Sequence, residues 1–210
     1  MNHRTQKLFI AVTIVFLLLC LGASAQVGLS PFSGDMTMKP KQGEGMKGKI
    51  YFSGNKMRMD MNARGHQSIM INDIASKIVY MVMPEQKMYM EMRAGQGMTP
   101  HGPKMPDLKS YDPDHPCAGE PDMTCEKIGT ETVNDRSTEK WVFKNAKSGS
   151  TTTAWIDRKL HFPVKSVTND GTEMDLTNIQ EGASAASMFE VPAGYRKFDV
   201  GAMMGGQAPH

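Results

Sequence analysis

The feature that most constrains the fold is a strict alternation of methionine with polar residues. Lys56-Met57-Arg58-Met59-Asp60-Met61 alternates charge and methionine without a break, and Gln86-Lys87-Met88-Tyr89-Met90-Glu91-Met92 repeats the pattern. Side chains of a β-strand point to opposite faces in turn, so a period of two places three methionines of each run on one face. On a helix the same residues would scatter round the cylinder and bury nothing coherent. These segments therefore read as strands with one apolar face.

Further strand candidates follow at regular spacing: 32–39, 46–53, 67–73, 77–83, 125–133, 139–145, 151–156, 164–169 and 174–180. Turn chemistry fills the gaps, as in Gly54-Asn55, Ala63-Arg64-Gly65, Pro84-Glu85 and Asn169-Asp170-Gly171. The rhythm predicts an antiparallel meander of about ten or eleven strands. The stretch 77–83 is apolar at nearly every position from Ile78 on, which predicts a strand covered on both faces near the middle of the sheet. Trp141 and Trp155 fall in strand candidates and read as core anchors.

Two regions interrupt the rhythm. Residues 93–124 carry six prolines and several glycines, a length and composition typical of a functional or unstructured connection. Ala183, Ala185 and Ala186 allow a short helix before Phe189. Residues 199–210 read as a disordered Gly/Met-rich tail.

The N-terminus is a targeting device. His3, Arg4 and Lys7 precede an uncharged run of 14 residues, Leu8 to Leu21, and Gly22-Ala23-Ser24-Ala25 supplies a small-residue cleavage site. A bilayer span needs about 20 apolar residues, so residues 1–25 read as a cleaved secretory signal rather than a retained anchor. Leu19 precedes Cys20 where a lipoprotein signal would have a small residue, so Cys20 is assigned to the discarded segment. The mature chain, from Gln26, is expected in the periplasm or outside the cell. Residues 26–198 are expected to form one β-domain.

The full chain has 24 basic and 22 acidic residues, and removing Arg4 and Lys7 leaves 22 of each. A balanced charge gives no electrostatic case for nucleic-acid binding. Cys117 and Cys125 remain, and in an oxidising compartment they predict a disulfide at the far end of the 93–124 connection.

No catalytic motif survives inspection. Gly43-Glu44-Gly45-Met46-Lys47-Gly48 has the letters of a dinucleotide loop, but a turn precedes it and a strand follows, where the chemistry needs a strand and then a helix. The mature chain has no HExxH and no GxSxG, and its histidines are scattered. No cofactor or catalytic residue is implied.

Methionine is the compositional outlier, with nineteen after Met1. Three readings compete. The thioether packs like leucine but adapts to irregular gaps, so methionine serves as core filler. A flexible apolar lining also accepts a lipid or acyl chain. Soft thioethers favour Cu(I), and the Met-x-Met pairs put both sulfurs on one face. The apolar-ligand reading assigns one alternation set: Met57, Met59, Met61, Ile69, Ile71, Met88, Met90 and Met92. A chain with no small ligand, acting in the envelope as a structural or interaction protein, is the other alternative.

The order of motifs adds a resemblance. The segment 48–60, then 69–73 and 77–92, resembles the strand and hairpin succession of the outer-membrane lipoprotein-sorting carrier (LolA-like) superfamily. Thr153-Ala154-Trp155-Ile156-Asp157 with Phe162-Pro163-Val164-Lys165, and the closing Phe189-Glu190-Val191-Pro192-Ala193-Gly194-Tyr195, are similar to its later motifs. Within that superfamily the chain most resembles the DUF4412 domain, over roughly residues 32–198. The resemblance implies a strongly curved, unclosed antiparallel barrel that holds acyl chains, and a transient membrane or lipoprotein partner. The sequence departs from the carriers in lacking their N-terminal helix and in having a proline-rich stretch where they carry lid helices. Fold resemblance alone does not transfer activity.

Overall fold

The computed structural model describes residues 29–63, 65–93 and 114–198. The predicted signal (residues 1–25), most of the 93–124 connection and the predicted tail 199–210 lie outside the described residues. Twelve strands make one sheet: β1 (Phe32–Lys39), β2 (Met46–Ser53), β3 (Lys56–Ala63), β4 (His66–Asp73), β5 (Ile78–Met83), β6 (Met88–Arg93), β7 (Met123–Val133), β8 (Arg136–Asn145), β9 (Thr151–Asp157), β10 (Pro163–Thr168), β11 (Glu173–Glu181) and β12 (Arg196–Lys197). Their spatial order is β12-β6-β5-β4-β3-β2-β1-β11-β10-β9-β8-β7. Every pairing is antiparallel except that of β12 with β6. The sheet is curved and unclosed. The sequence rhythm locates all the long strands; it misses the two-residue β12, and β7 begins two residues before the predicted start at Cys125.

The topology explains the long connection. β6 and β7 follow one another in sequence but lie towards opposite ends of the strand order. A tight hairpin cannot join them. Near its end, Cys117 is bonded to Cys125 on β7, which ties the returning chain to the edge strand.

Turn length fixes which residues share a face. Ser53 pairs with Lys56, Ala63 with His66, Asp73 with Ile78 and Met83 with Met88. The loops between these closing pairs have even lengths, so odd-numbered residues of one strand face even-numbered residues of the next. The turns use the expected chemistry: Gly54 and Gly65 adopt positive φ, and Asn134-Asp135 takes positive φ at both positions, as a two-residue hairpin of primed type requires.

One face carries the main core. Phe32, Ile50, Phe52, Met57, Leu160, Val164 and Leu176 are buried there with Met36. Phe32 packs against both Phe52 and Phe162, with ring centroids 6.2 and 5.1 Å apart. Trp141, Ala154 and Ile156 extend the same face towards β7. On β2–β6 the opposite face is covered by the chain itself. After β11 the backbone passes through a 3₁₀ turn, Ala186–Phe189, and packs Met188, Phe189, Val191 and Tyr195 onto Ile71, Val82, Tyr51, Ile69, Tyr80 and Tyr89. Arg58 pins this segment, donating to the Met188 carbonyl at 2.9 Å while its Nε holds Asp60 at 2.6 Å.

Two expectations need correction. β5 is buried on both faces, through Val79 and Val82, yet it is third from one end of the sheet rather than near its middle; the C-terminal segment covers its Val82 side. Trp141 is a core anchor, whereas Trp155 lies on the other face, half-buried, between the ammonium groups of Lys140 and Lys165, with its indole N–H donating to Glu131 at 2.7 Å.

Candidate ligand-binding face

The register assembles a methionine field on the core-bearing face. Ile50, Met59, Met70, Met81 and Met90 lie opposite one another in succession across β2 to β6. Phe52, Met57, Asn72, Val79 and Met92 form the row on one side. Gly48, Met61 and Ser68 begin the row on the other, which Met83 and Met88 complete. Towards the middle of the sheet the field continues through Met36, Met38, Met46 and Met174. Met36 and Met57 are buried, as are Ile50, Phe52, Asn72 and Val79; the other methionines are half-buried. Among the described residues, no strand or 3₁₀ turn lies across the β3–β6 part of this face, since the 3₁₀ turn sits on β3 and β4 from the other side.

The six predicted methionines, Met57, Met59, Met61, Met88, Met90 and Met92, therefore share a face. Ile69 and Ile71 do not. Ile69 pairs with Asp60 and Ile71 with Arg58, which puts both on the opposite side, where Phe189 and its neighbours cover them; Ile71 is 1% exposed. The closing pair Ala63–His66 reverses the numbering parity between β3 and β4, so the correct partners are Met70 and Ser68. Alternation alone keeps odd numbers together across that turn. Counting loop residues finds Met70, Met81 and Met83 instead.

The field is almost free of charge. Its polar members between β3 and β6 are Ser68 and Asn72, with exposed His66 at the rim, where its Nδ1 lies 3.4 Å from Glu85. Towards β7 the same face carries Lys127 and Glu139, paired at 2.7 Å. The Lys127 ammonium, outweighing partial burial, holds the Glu139 carboxyl below its usual range. Among the described residues no group of three His, Cys, Asp or Glu side chains could hold a metal ion. A shallow cavity of about 280 Å³ lies at the far ends of β2–β4, bordered by Lys47, Arg58, Asp60, Met61 and Gln67.

The glycines that mimic a dinucleotide loop have a structural role. Gly43 turns the chain with φ +97°, and a Cβ on Gly48 would collide with the Asp60 carbonyl oxygen of β3. Gly48 is thus the close-approach point of β2 and β3.

Residues 32–161 match the family described as a domain of unknown function, DUF4412. The chain belongs to this family. No curated protein matches the sequence. Among solved structures, this DUF4412 chain is similar to an uncharacterized conserved protein from Thermus thermophilus, with a TM-score of 0.56, 8% identity, and coverage of 89% of this chain and 98% of that one. It is also similar to a chain of the Pseudomonas aeruginosa MucA/MucB complex, with a TM-score of 0.51 and 16% identity over 78% of this chain; the match spans 56% of that chain's length. Weaker overlap extends to the LolA superfamily protein NE2245 from Nitrosomonas europaea, with a TM-score of 0.37, 8% identity and coverage of 79% of this chain and 91% of that one. At these identities the likeness concerns the fold.

Proposed function

We propose that this DUF4412 protein is an exported, non-enzymatic binding or carrier protein for an apolar ligand, a lipid or the acyl chain of a partner, held on the methionine field of β3–β6. One observation carries this reading. Over β2–β6 the chain covers one face of the sheet with its own C-terminal segment, while on the other it aligns half-buried methionines in register across four strands. Thioether side chains adapt to ligands of varied shape. Acyl burial contributes about 0.8 kcal/mol per methylene, so a shallow apolar groove holds a lipid without polar contacts. The export signal read at residues 1–25 supports a partner in the cell envelope, where a membrane or a lipoprotein supplies such chains.

Native mass spectrometry of protein purified from an exporting host tests this directly. A lipid-sized adduct, removable by organic extraction, is expected. Met59→Asp and Met90→Asp each put a charge into the field at half-buried positions and should abolish the adduct while far-ultraviolet circular dichroism is retained. Unchanged lipid binding in both folded variants would defeat the proposal.

A further inference from the structure

The hairpin β5–β6 carries two Met-x-Met motifs in register. Met81 lies directly opposite Met90, and Met83 directly opposite Met88. All four point to the same face, and all four are half-buried. Directly opposed side chains of an antiparallel pair have Cβ atoms about 4.5–5.5 Å apart. Residues two apart along a strand are separated by about 6.6 Å. Four unbranched side chains therefore rise from the corners of a small rectangle, each with three rotatable bonds that let its sulfur swing inward. The turn at 84–87 holds the register, with the Lys87 amide donating to the Pro84 carbonyl at 3.1 Å and Lys87 at φ 49°. Met70, opposite Met81 on β4, stands beside the rectangle as a fifth thioether.

We infer that Met81, Met83, Met88 and Met90 form a thioether site for a soft monovalent cation, Cu(I) or its analogue Ag(I). The donor set decides the metal. Thioethers are neutral and soft, so they select Cu(I) and bind Zn(II), Mg(II) and Ca(II) poorly. Core packing alone needs methionine at none of these positions, because leucine serves an apolar strand face equally well; the sulfur is what distinguishes the observed residues. The site uses the same hairpin as the proposed apolar-ligand face but depends on a different atom, and this allows the two to be separated.

The test is Cu(I) uptake by the full exported protein, under ascorbate, in competition with a chromophoric Cu(I) chelator. The comparison variant replaces all four residues with leucine, Met81→Leu, Met83→Leu, Met88→Leu and Met90→Leu, which keeps the face apolar and close in volume. Wild-type protein should take up about one equivalent of Cu(I), with only sulfur neighbours in X-ray absorption. The leucine variant should lose that uptake while its far-ultraviolet circular dichroism stays that of the wild type. Thioethers do not protonate, so uptake should be the same at about pH 5 as at about pH 7, whereas a site on the rim residue His66 would be lost on acidification as imidazole protonates. Uptake that survives the leucine substitutions, disappears at the lower pH, or is absent from the wild type overturns the assignment. Failure of lipid binding alone leaves the metal result intact, and the reverse also holds.

Discussion

Met57 and Met90 both belong to the alternating methionine runs and share a face, yet their surroundings differ. Met57 is 4% exposed and packs with Phe32, Phe52 and Leu176 in the main core; Met90 is half-buried in the methionine field. Removing a buried methionine side chain leaves a cavity, so Met57→Ala should cost roughly 2–5 kcal/mol in urea unfolding. Met90→Ala should cost less than about 1 kcal/mol and weaken apolar-ligand binding instead. Equal losses would mean that the field is packed by the chain and offers no ligand surface. Asp157 is the one buried carboxylate among the described residues. It is 2% exposed, and it accepts hydrogen bonds from Arg136 and from the backbone amides of Lys159 and Leu160, the last two at 2.8 and 2.7 Å. Burial alone would raise its pKa; the Arg136 guanidinium and the two amides outweigh it and hold the carboxyl below its ordinary value. A depressed folded-state pKa contributes stability that is present above the unfolded value, near 3.8, and lost as pH falls through the folded one. Asp157→Asn should therefore destabilise by about 3 kcal/mol near neutrality, and the gap from wild type should narrow at about pH 2.5. Urea titrations at the two pH values check this, and a gap that persists undiminished in acid would show that shape rather than charge is responsible.

At the scale of strands, most of the fold is legible because period-two patterning and turn residues report directly on a half-buried sheet. The strands at 32–39 and 46–53 match the sequence expectation to the residue, since turn-forming residues close them on both sides. The face assignment of Ile69 and Ile71 is not legible from alternation within a strand, because face identity across a hairpin depends on where the strands close, here at Ala63–His66. β12 escapes because two residues carry no periodicity; its placement comes from backbone bonds, the Arg196 amide to the Lys87 carbonyl at 3.0 Å and the Phe198 amide to the Tyr89 carbonyl at 2.7 Å. The glycine-rich 43–48 stretch is hairpin chemistry, as its flanks indicate, and the reason for Gly48 lies in strand contact. Gly48→Val would drive a branched side chain into the Asp60 carbonyl and separate β2 from β3. A loss of more than about 2 kcal/mol is expected, since backbone on both sides must move. A thermal melt decides it; an unchanged midpoint would show that the two strands part at no cost.

For the molecule as a whole, the two faces of one sheet have been given different tasks. The side bearing Ile71 and Val82 is closed by the C-terminal segment, whose attachment through Arg58 and β12 makes it part of the scaffold. The other side concentrates aromatic and aliphatic residues towards β1 and β11 and methionine towards β6, so rigidity gives way to adaptability across the same surface. Formal charges that nearly balance over the chain provide no long-range field to attract an ionic partner, and the β3–β6 field itself contains methionine with Ser68, Asn72 and Val79. Binding to this face should then be driven by apolar burial and be nearly indifferent to salt. Raising sodium chloride from about 0.05 M to about 0.5 M shortens the Debye length from roughly 14 to 4 Å and screens surface ion pairs, yet the affinity for an uncharged acyl probe should change less than about twofold, in the direction of tighter binding. Isothermal titration across that range provides the measurement, and it should also show the negative heat-capacity change of apolar burial. A tenfold loss of affinity with salt would move the ligand off the methionines and onto charged groups such as the Lys127–Glu139 pair further along the same face, and the function would have to be rebuilt around a polar partner.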